Sequence, residues 1–200
     1  MTSESESPVR RTSIGPQRNP ASQDAILAAA EALLVEHGLS GFSVEAVARR
    51  AKAGKPTIYR WWPSKSALLL EVYNRQKHVL RYPDTGDIER DLVVFLEGLF
   101  AFWMRGSGGA VFRSIIAEAQ SDKGAAEALA VYAAERRRQT GEVIARAQRR
   151  GEVAAEADPE LIADALSGFA WIRLLTNRLE DSSDEIRSFV HSVVQGIRSR

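Results

Sequence analysis

The sequence contains no cysteine, and this absence excludes disulfides, thiolate catalysis and cysteine-ligated zinc. Its three histidines, His37, His78 and His191, are scattered, and none has the spacing of a metal-ligand pair. A glycine-rich phosphate loop and a nucleophile elbow are missing as well. The chain therefore offers no catalytic constellation, and we expect no enzymatic activity, no metal site and no cofactor.

Long apolar runs are also missing. The longest, over residues 92–104, is interrupted by Glu97 and Gly98, whereas a bilayer-spanning helix needs about 20 apolar residues. Residues 1–21 carry no apolar segment of the kind found in secretory signals. We therefore expect a cytoplasmic protein that makes no membrane contact.

The third absence is that of sheet signals, because no stretch alternates apolar and polar residues over a useful length. Instead, apolar residues recur at helical spacing, and glycine and proline stand where helices should stop. The spacing predicts an all-α fold of about nine helices. They cover about residues 22–38, 43–51, 56–62, 64–80, 87–105, 110–121, 124–150, 159–179 and 183 onward.

The same pattern divides the chain into segments. Residues 1–21 are rich in serine, proline and charge, so they cannot bury enough surface to offset the entropy of ordering and are expected to be a disordered tail. Ser22 is the expected N-cap of the first helix and Gly38 its stop. We predict a helix-turn-helix domain over residues 22–66, a connecting helix over 64–80 and a C-terminal domain over 67–200.

Positive charge is concentrated in one short stretch of a nearly neutral chain. The net charge of all 200 residues is +1, but Ser43–Lys65 holds six basic residues against one acid, Glu45, which gives +5 locally. The basic residues are Arg49, Arg50, Lys52, Lys55, Arg60 and Lys65. Such a concentration indicates one polyanion-binding surface.

The apolar residues of this stretch lie at helical spacing on both sides of a short break, which is typical of a helix-turn-helix DNA reader. Ile58 and Trp62, four residues apart, are expected to pack the recognition helix onto the face of Val47 and Ala51. The residues left to face outwards are Lys55, Thr57, Tyr59 and Arg60.

Two kinds of DNA contact are expected from this face. Arg60 can take guanine O6 and N7 together, a contact worth about 1–3 kcal/mol of discrimination, and Pro56 at the helix start can touch a thymine methyl. Phosphate contacts fix register without reading sequence. They are expected from the backbone N–H of Ser43 and from Thr57, Tyr59 and Lys65.

The segment AVARRAKAGKPTIYRWWPSKSALLLEVY resembles the DNA-binding signature of the TetR (tetracycline-repressor-like) transcriptional regulators. The resemblance covers about residues 22–73. The matching positions are Ala48, Ala51, Lys55, Thr57, Ile58, Tyr59, Trp62, Pro63, Ser64, Lys65 and Leu68. The resemblance implies operator DNA as a partner, a C-terminal domain that binds a small-molecule inducer, and a homodimer.

The stretch departs from the family's pattern at several points. The turn reads Lys52-Ala53-Gly54 where Gly-Val-Ser is common, so its conformation depends either on Gly54 or on Lys52 accepting a strained φ, and Lys52 adds a positive charge near the DNA. Pro56 replaces a frequent glycine. Trp61 either lies against the sugar-phosphate backbone or shields the junction with the fourth helix.

The tail offers two interpretations. Arg10, Arg11 and Arg18 can reach an adjacent minor groove, as N-terminal arms of some DNA-binding domains do. The simpler alternative is a solvated tail without a role.

Aromatic residues are dense over residues 95–112, beside a glycine-rich break, and could line an apolar ligand pocket. The pocket candidates are Phe100, Trp103, Met104, Phe112, Tyr132 and Trp171. A plain helix-bundle core is the alternative for each of them. The basic run on the long helix, from Arg136 to Arg150, is interleaved with glutamates and is expected to be a solvated face.

The last two helices carry wide apolar stripes, which favour burial against a second subunit. The candidate interface residues are Leu166, Phe169, Ile172, Phe189, Val193 and Ile197. A single bundle core that absorbs them is the alternative.

The sequence as a whole predicts a ligand-responsive regulator. We expect a homodimer that reads a palindromic operator in successive major grooves about 34–36 Å apart and is released by a small hydrophobic ligand of unknown identity. Repression is the more usual sign in the family, and activation stays open. The alternative function is a helical ligand-binding or structural protein without sequence-specific DNA binding.

Overall fold

The computed structural model describes residues 19–77, 80, 82–180 and 182–198. These residues form nine α-helices and no strand, with one isolated β-bridge between Val153 and Arg198. The helices are α1 (Pro20–His37), α2 (Val44–Ala51), α3 (Lys55–Trp61), α4 (Lys65–Lys77), α5 (Ile88–Met104), α6 (Gly108–Glu118), α7 (Lys123–Arg149), α8 (Pro159–Leu175) and α9 (Ser183–Ile197). The all-α prediction is confirmed.

Two other sequence predictions, on membrane spans and on the N-terminal tail, can be compared only with the described residues. Within the described ranges, none of the helices combines the length and the apolar character that a membrane span requires. The tail predicted over residues 1–21 lies outside the described residues up to residue 18, and Arg10, Arg11 and Arg18 lie outside them too.

The first helix begins before the predicted position. The side chain of Asn19 accepts a hydrogen bond from the Ala21 N–H at 3.0 Å, and Pro20 occupies the first helical turn. An asparagine cap followed by proline is a strong helix start, because the proline has no N–H to leave unsatisfied. Ser22 as the N-cap is therefore wrong. Gly38 ends the helix at φ 63°, as predicted.

Two further helix boundaries differ from the prediction. Helix α8 ends at Leu175 and not near Leu179, because Asn177 adopts the left-handed conformation (φ 54°) and the chain turns back there. Helix α6 begins at Gly108, two residues early. A Cβ at Gly109 would lie 2.5 Å from the Trp103 carbonyl oxygen, so glycine allows α6 to start close against α5.

Helix α4 joins the three N-terminal helices to the C-terminal bundle. On the N-terminal side, Glu71 of α4 accepts hydrogen bonds from Gln23 Nε2 at 2.6 Å and from Trp62 Nε1 at 2.5 Å. On the C-terminal side, Tyr73 of the same helix accepts a hydrogen bond from Trp103 Nε1 at 2.8 Å and stacks on Phe112 with ring centroids 4.9 Å apart. One helix thus takes part in both cores.

Candidate DNA interface and ligand cavity

The turn between α2 and α3 is closed by Lys52. Its backbone is left-handed, with φ 51° and ψ 40°, and the Ala53 N–H donates to the Ala48 carbonyl oxygen at 3.0 Å. Gly54 has φ −73°, which any residue adopts. Of the two alternatives left open by the sequence, the structure therefore has the lysine, and not the glycine, in the strained conformation.

The recognition helix α3 presents the predicted outer face. Pro56 stands in its first turn, and Pro56, Tyr59 and Arg60 are exposed, whereas Thr57 is half-buried. Ile58 is buried in the cluster that also holds Val47. The division into a packed side and a free side thus agrees with the sequence.

Two of the six basic residues are neutralised by carboxylates of the same domain. Arg50 binds Glu36 with both terminal nitrogens, at 2.5 and 2.6 Å, and Lys55 Nζ lies 2.5 Å from Glu45 Oε1. The hydrogen bond from Lys55 lowers the pKa of the Glu45 carboxyl below its usual range. A DNA phosphate that reaches Lys55 must therefore compete with Glu45.

The remaining cations have no ion pair within the described part of the chain. They are Arg49, Lys52, Arg60 and Lys65. The Arg60 guanidinium carbon lies 5.9 Å from the Trp61 ring centroid, and Lys65 Nζ lies 5.8 Å from that of Phe42. Because these four charges pair with no carboxylate of the described residues, they carry the field that attracts an anion.

Helix starts supply two further elements of the surface. The Ser43 hydroxyl accepts from the Ala46 N–H at 3.1 Å and caps α2, which leaves the backbone N–H of Ser43 for the phosphate contact predicted from the sequence. The Ser64 hydroxyl accepts from the Ala67 N–H at 3.0 Å, so it caps α4 immediately before Lys65.

Trp61 corrects the list of expected DNA contacts. Its side chain is only 7% exposed and meets Trp62 edge to face, with ring centroids 5.7 Å apart. The indole is thus packed at the junction with α4, and the expectation that it lies on the DNA backbone is wrong. Trp62 is buried, as predicted.

A cavity of about 340 Å³ lies between α4, α5, α7 and α8. Most of its wall is aromatic and aliphatic. The residues that line it are Lys77, Tyr82, Phe95, Leu96, Leu99, Trp103, Tyr132, Ala133, Arg136, Thr140, Asp164, Leu166, Ser167, Gly168, Ala170 and Trp171. Its size and its apolar walls are those of a small-molecule site.

Three of the six predicted pocket residues line this cavity, namely Trp103, Tyr132 and Trp171. Phe100 and Phe112 are fully buried and do not line it. Met104 is 50% exposed at the end of α5. For these three residues the pocket assignment is wrong, because aromatic density alone does not separate the wall of a cavity from the solid core beside it.

Two cations of the cavity, Lys77 and Arg136, were not expected there from the sequence. Lys77 is buried, and burial together with the nearby Arg136 charge lowers its pKa to about 7. Its spacing could have identified it, because Leu69, Tyr73 and Lys77 follow one another at i+4 on the buried face of α4. Arg136 belongs to the run predicted to be solvated.

The rest of that run agrees better with the prediction. Exposed partners bind most of its arginines: Arg137 lies 3.3 Å from Glu160, Arg138 lies 2.9 Å from Glu135, and Arg150 contacts Asp84. Arg136 is the exception among them because it turns towards the cavity.

Exposed apolar and small residues form a stripe along one face of α8. They are Leu161, Ala165, Gly168, Ile172 and Leu175, at i, i+4, i+7, i+11 and i+14. Phe169 and Phe189 stack beside it with ring centroids 4.0 Å apart, and Val193 and Ile197 are half-buried on α9. Leu166 is buried within its own subunit and lines the cavity, so its assignment to a subunit interface is wrong.

Comparison with known proteins gives consistent matches. A family model described as "Bacterial regulatory proteins, tetR family" matches residues 26–72, and one described as "Tetracyclin repressor-like, C-terminal domain" matches residues 82–193. The HTH-type transcriptional regulator YdeS of Bacillus subtilis (strain 168) is 30% identical over 187 residues, which cover 92% of this chain and 94% of that protein.

Two further matches extend the comparison. The DNA-binding transcriptional repressor TetR of Mycobacteroides abscessus is 28% identical over 159 residues, covering 78% of this chain and 80% of that protein. The solved structure of the TetR family transcription regulator SCO0332 is 30% identical and superposes with a TM-score of 0.78, covering 88% of this chain and 98% of that chain.

The strained turn yields a prediction about Lys52. A left-handed non-glycine residue costs about 1–2 kcal/mol, and the greater chain entropy of glycine offsets part of that gain. Lys52→Gly should therefore stabilise the protein by about 1 kcal/mol, which raises the melting temperature by about 2–4 °C. It should also weaken DNA binding, because one unpaired cation is lost.

Lys52→Ala is the matched control, since it removes the same charge but keeps the strain. Thermal unfolding followed by circular dichroism should separate the two variants, and DNA titrations should not. Equal melting temperatures for both would contradict the assignment of strain to Lys52.

Proposed function

The chain belongs to the TetR family of helix-turn-helix transcriptional regulators, and from this premise we propose that it is a homodimeric repressor, bound to a palindromic operator and released by a small hydrophobic ligand. The family is one of DNA-binding regulators and not of enzymes. The observation that carries the proposal is the surface of α3, where exposed Pro56, Tyr59 and Arg60 stand beside cations that form no ion pair with the described residues.

The exposed residues of α3 divide into readers and anchors. Arg60 has the planar fork that binds guanine O6 and N7 together, and Pro56 offers an apolar edge to a thymine methyl. Lys65, Lys52, Tyr59, Thr57 and the N–H of Ser43 surround these readers and suit phosphates. Lys55 joins the contacts if a phosphate displaces Glu45.

The stripe on α8 supports the homodimer. Five apolar or small residues in line, with Leu161 67% and Ile172 50% exposed, form a face that water solvates poorly. Together with the half-buried face of α9 it fits a two-fold four-helix interface, in which the same surface patch of each subunit meets its copy. Two recognition helices could then enter successive major grooves about 34–36 Å apart.

The position of α4 supports release by a ligand. Lys65 begins the helix at the DNA-facing side, and Lys77 ends it in the cavity. The helix has 13 residues, so its two ends lie about 20 Å apart. Glu71 ties the middle of the same helix to Trp62 and Gln23. A ligand that shifts the Lys77 end therefore turns the N-terminal domain with it, at a coupling free energy of about 1–3 kcal/mol.

A second path runs between the cavity and the N-terminal domain. Tyr132 and Arg136 of α7 line the cavity on one side, and on the other they line a groove that ends at Trp61 and Trp62. A ligand that moves these two side chains would change the packing beside the recognition helix. Repression as the sign is supported by the name of the Mycobacteroides abscessus relative, which is described as a repressor.

The division into readers and anchors predicts different effects for two variants. Arg60→Ala should weaken binding to the operator by about 1–3 kcal/mol and relax the base preference at one position, because a bidentate base contact is lost. Lys65→Ala should weaken operator and random DNA alike and reduce the salt slope by about 0.9, because one phosphate contact is lost. Fluorescence anisotropy at several salt concentrations, on a duplex selected from a random library, measures both effects.

Arg90→Ala is the matched control for loss of one positive charge, since Arg90 is exposed in the first turn of α5, in the C-terminal domain. It should leave both affinities nearly unchanged. If both Arg60→Ala and Lys65→Ala lost equal affinity for selected and for random DNA, the assignment of Arg60 to base reading and of Lys65 to phosphate binding would be contradicted.

The stripe on α8 predicts that Ile172→Glu gives a monomer. The variant puts one carboxylate from each subunit into the apolar interface, where neither can stay fully solvated. Sedimentation velocity at micromolar concentration should show a dimer for the unchanged protein and a monomer for the variant. Val35→Glu adds the same charge at an exposed position of α1 and should stay dimeric. A dimeric Ile172→Glu, or a monomeric unchanged protein, would refute this interface.

A further inference from the structure

The buried end of α4 carries a cation without an anionic partner. Lys77 is 7% exposed, and its Nζ reaches the Tyr132 hydroxyl at 3.3 Å. Around it stand aromatic rings, with the centroids of Tyr73, Phe95 and Tyr132 at 5.9, 6.0 and 5.8 Å. No carboxylate of the described residues pairs with it. A desolvated ammonium without an anion is unfavourable, so its presence calls for an explanation.

A second cation faces the same space. Arg136 lines the cavity, its Cζ lies 5.6 Å from the Tyr132 ring centroid, and its Nε is buried without a hydrogen-bond partner among the described residues. Its charge opposes that of Lys77. Arg136 is half-buried, and two like charges so close together are less favourable than either alone. Packing alone would be served better by apolar residues at both positions.

The cavity wall offers little negative charge in return. Its one lining carboxylate is Asp164, which is 55% exposed and lies 3.5 Å from Arg137. The Tyr82 hydroxyl is hydrogen-bonded to Thr140 Oγ1 at 2.5 Å, and both are uncharged. The charge that faces the cavity interior is therefore positive.

We propose that the cavity binds an organic anion, an aromatic carboxylate whose acidic group lies between Lys77 and Arg136 and whose ring lies between Trp103 and Trp171. The carboxylate supplies the negative charge that the cations lack, and arginine and lysine are the side chains that bind it most strongly. The apolar walls and the volume of about 340 Å³ suit a body of one or two rings. This inference rests on the proposed function, since it names the ligand class of the cavity that would release the repressor.

Protonation of Lys77 should make the binding of an anion depend on pH, and the binding of a neutral ligand should lack this dependence. In the free protein its pKa is lowered to about 7, by burial first and by Arg136 second. A bound carboxylate favours the charged form and raises that pKa, so binding takes up a proton between the free and the bound pKa values. The affinity for a carboxylate should thus be highest below pH 7 and fall as the pH rises above it.

The other groups that face Lys77 do not produce this dependence. Burial raises the pKa of Tyr73 on α4, of Tyr82, and of Tyr132 on α7, the last to about 12, so all three stay neutral below pH 9. Arg136 adds its positive charge beside Lys77. Asp164 on α8 is solvated and ion-paired.

The test compares an acid with its own amide. Isothermal titration calorimetry of the full chain without DNA, with 1-naphthylacetate and 1-naphthylacetamide, varies charge at nearly constant shape. The acid should bind at least about tenfold more tightly at pH 6.5, and its affinity should fall by about tenfold between pH 6.5 and 8.5. Two buffers of different ionisation enthalpy should report proton uptake at pH 7.5 for the acid alone.

Three variants sharpen the comparison. Lys77→Met keeps the volume and removes the titrating charge, so it should reduce the preference for the acid and abolish the pH dependence, while Arg136 keeps part of the preference. Arg136→Met should reduce the preference and move the pH dependence upwards, because it removes a charge that lowers the pKa of Lys77. Lys123→Met removes an exposed charge on α7 and should change neither.

Thermal unfolding in the absence of ligand is the control for correct folding of the variant. Lys77→Met should melt at a higher temperature than the unchanged protein in the absence of ligand, because a desolvated ammonium has been replaced by an apolar group. A variant that had simply failed to fold would melt lower.

Each outcome bears on a different statement. Equal binding of acid and amide, or no binding of either, would overturn the inference and leave the proposed operator binding intact. Tight, proton-linked binding of the acid without any loss of affinity for the selected duplex would support the anion site and contradict release by a ligand.

Discussion

Helix α4 has to satisfy two cores at once, and the rest of the structure depends on this constraint. Its middle is fixed to the three-helix domain, because Glu71 accepts hydrogen bonds from Gln23 and Trp62. Two residues later it is fixed to the bundle, because Tyr73 accepts a hydrogen bond from Trp103 and stacks on Phe112. The helix cannot move relative to either core without breaking these contacts, so a displacement of one end of α4 also displaces the other end.

Cations that pair with no carboxylate of the described residues lie at both ends of this helix. Not every cation of the basic stretch is free to bind DNA, since Glu36 and Glu45 form ion pairs with Arg50 and Lys55. What faces DNA is a smaller set of cations, with Lys65 among them at the start of α4. The other end of the helix carries Lys77, which is buried and pairs with no carboxylate of the described residues. A helix with such a cation at each end is suited to couple two anionic partners, DNA at one end and a small acid at the other.

Much of this could be predicted from the sequence, and what could not has common physical causes. The nine helices, the outer face of α3 and the burial of Ile58 and Trp62 follow from local spacing and capping. The glycine missing at the usual place left either Lys52 or Gly54 to close the turn, and only the structure decides for Lys52. The buried Trp61, the cavity-lining Leu166 and the exposed Met104 depend on how distant helices pack, which spacing along one helix does not encode. Arg136 was misplaced because its neighbours in the run are solvated, and only the approach of α4 and α5 makes its side of α7 an interior.

The most direct test of this coupling measures the distance between the two N-terminal domains in the dimer. Because the chain has no cysteine, a single cysteine introduced at exposed Ser40 carries a unique spin label in each subunit. Double electron–electron resonance would then compare the dimer bound to its selected duplex with the dimer saturated with 1-naphthylacetate. The account predicts a narrow distribution on DNA and a displaced one with the acid, with the displacement lost in Lys77→Met. Superimposable distributions in the two complexes would contradict it.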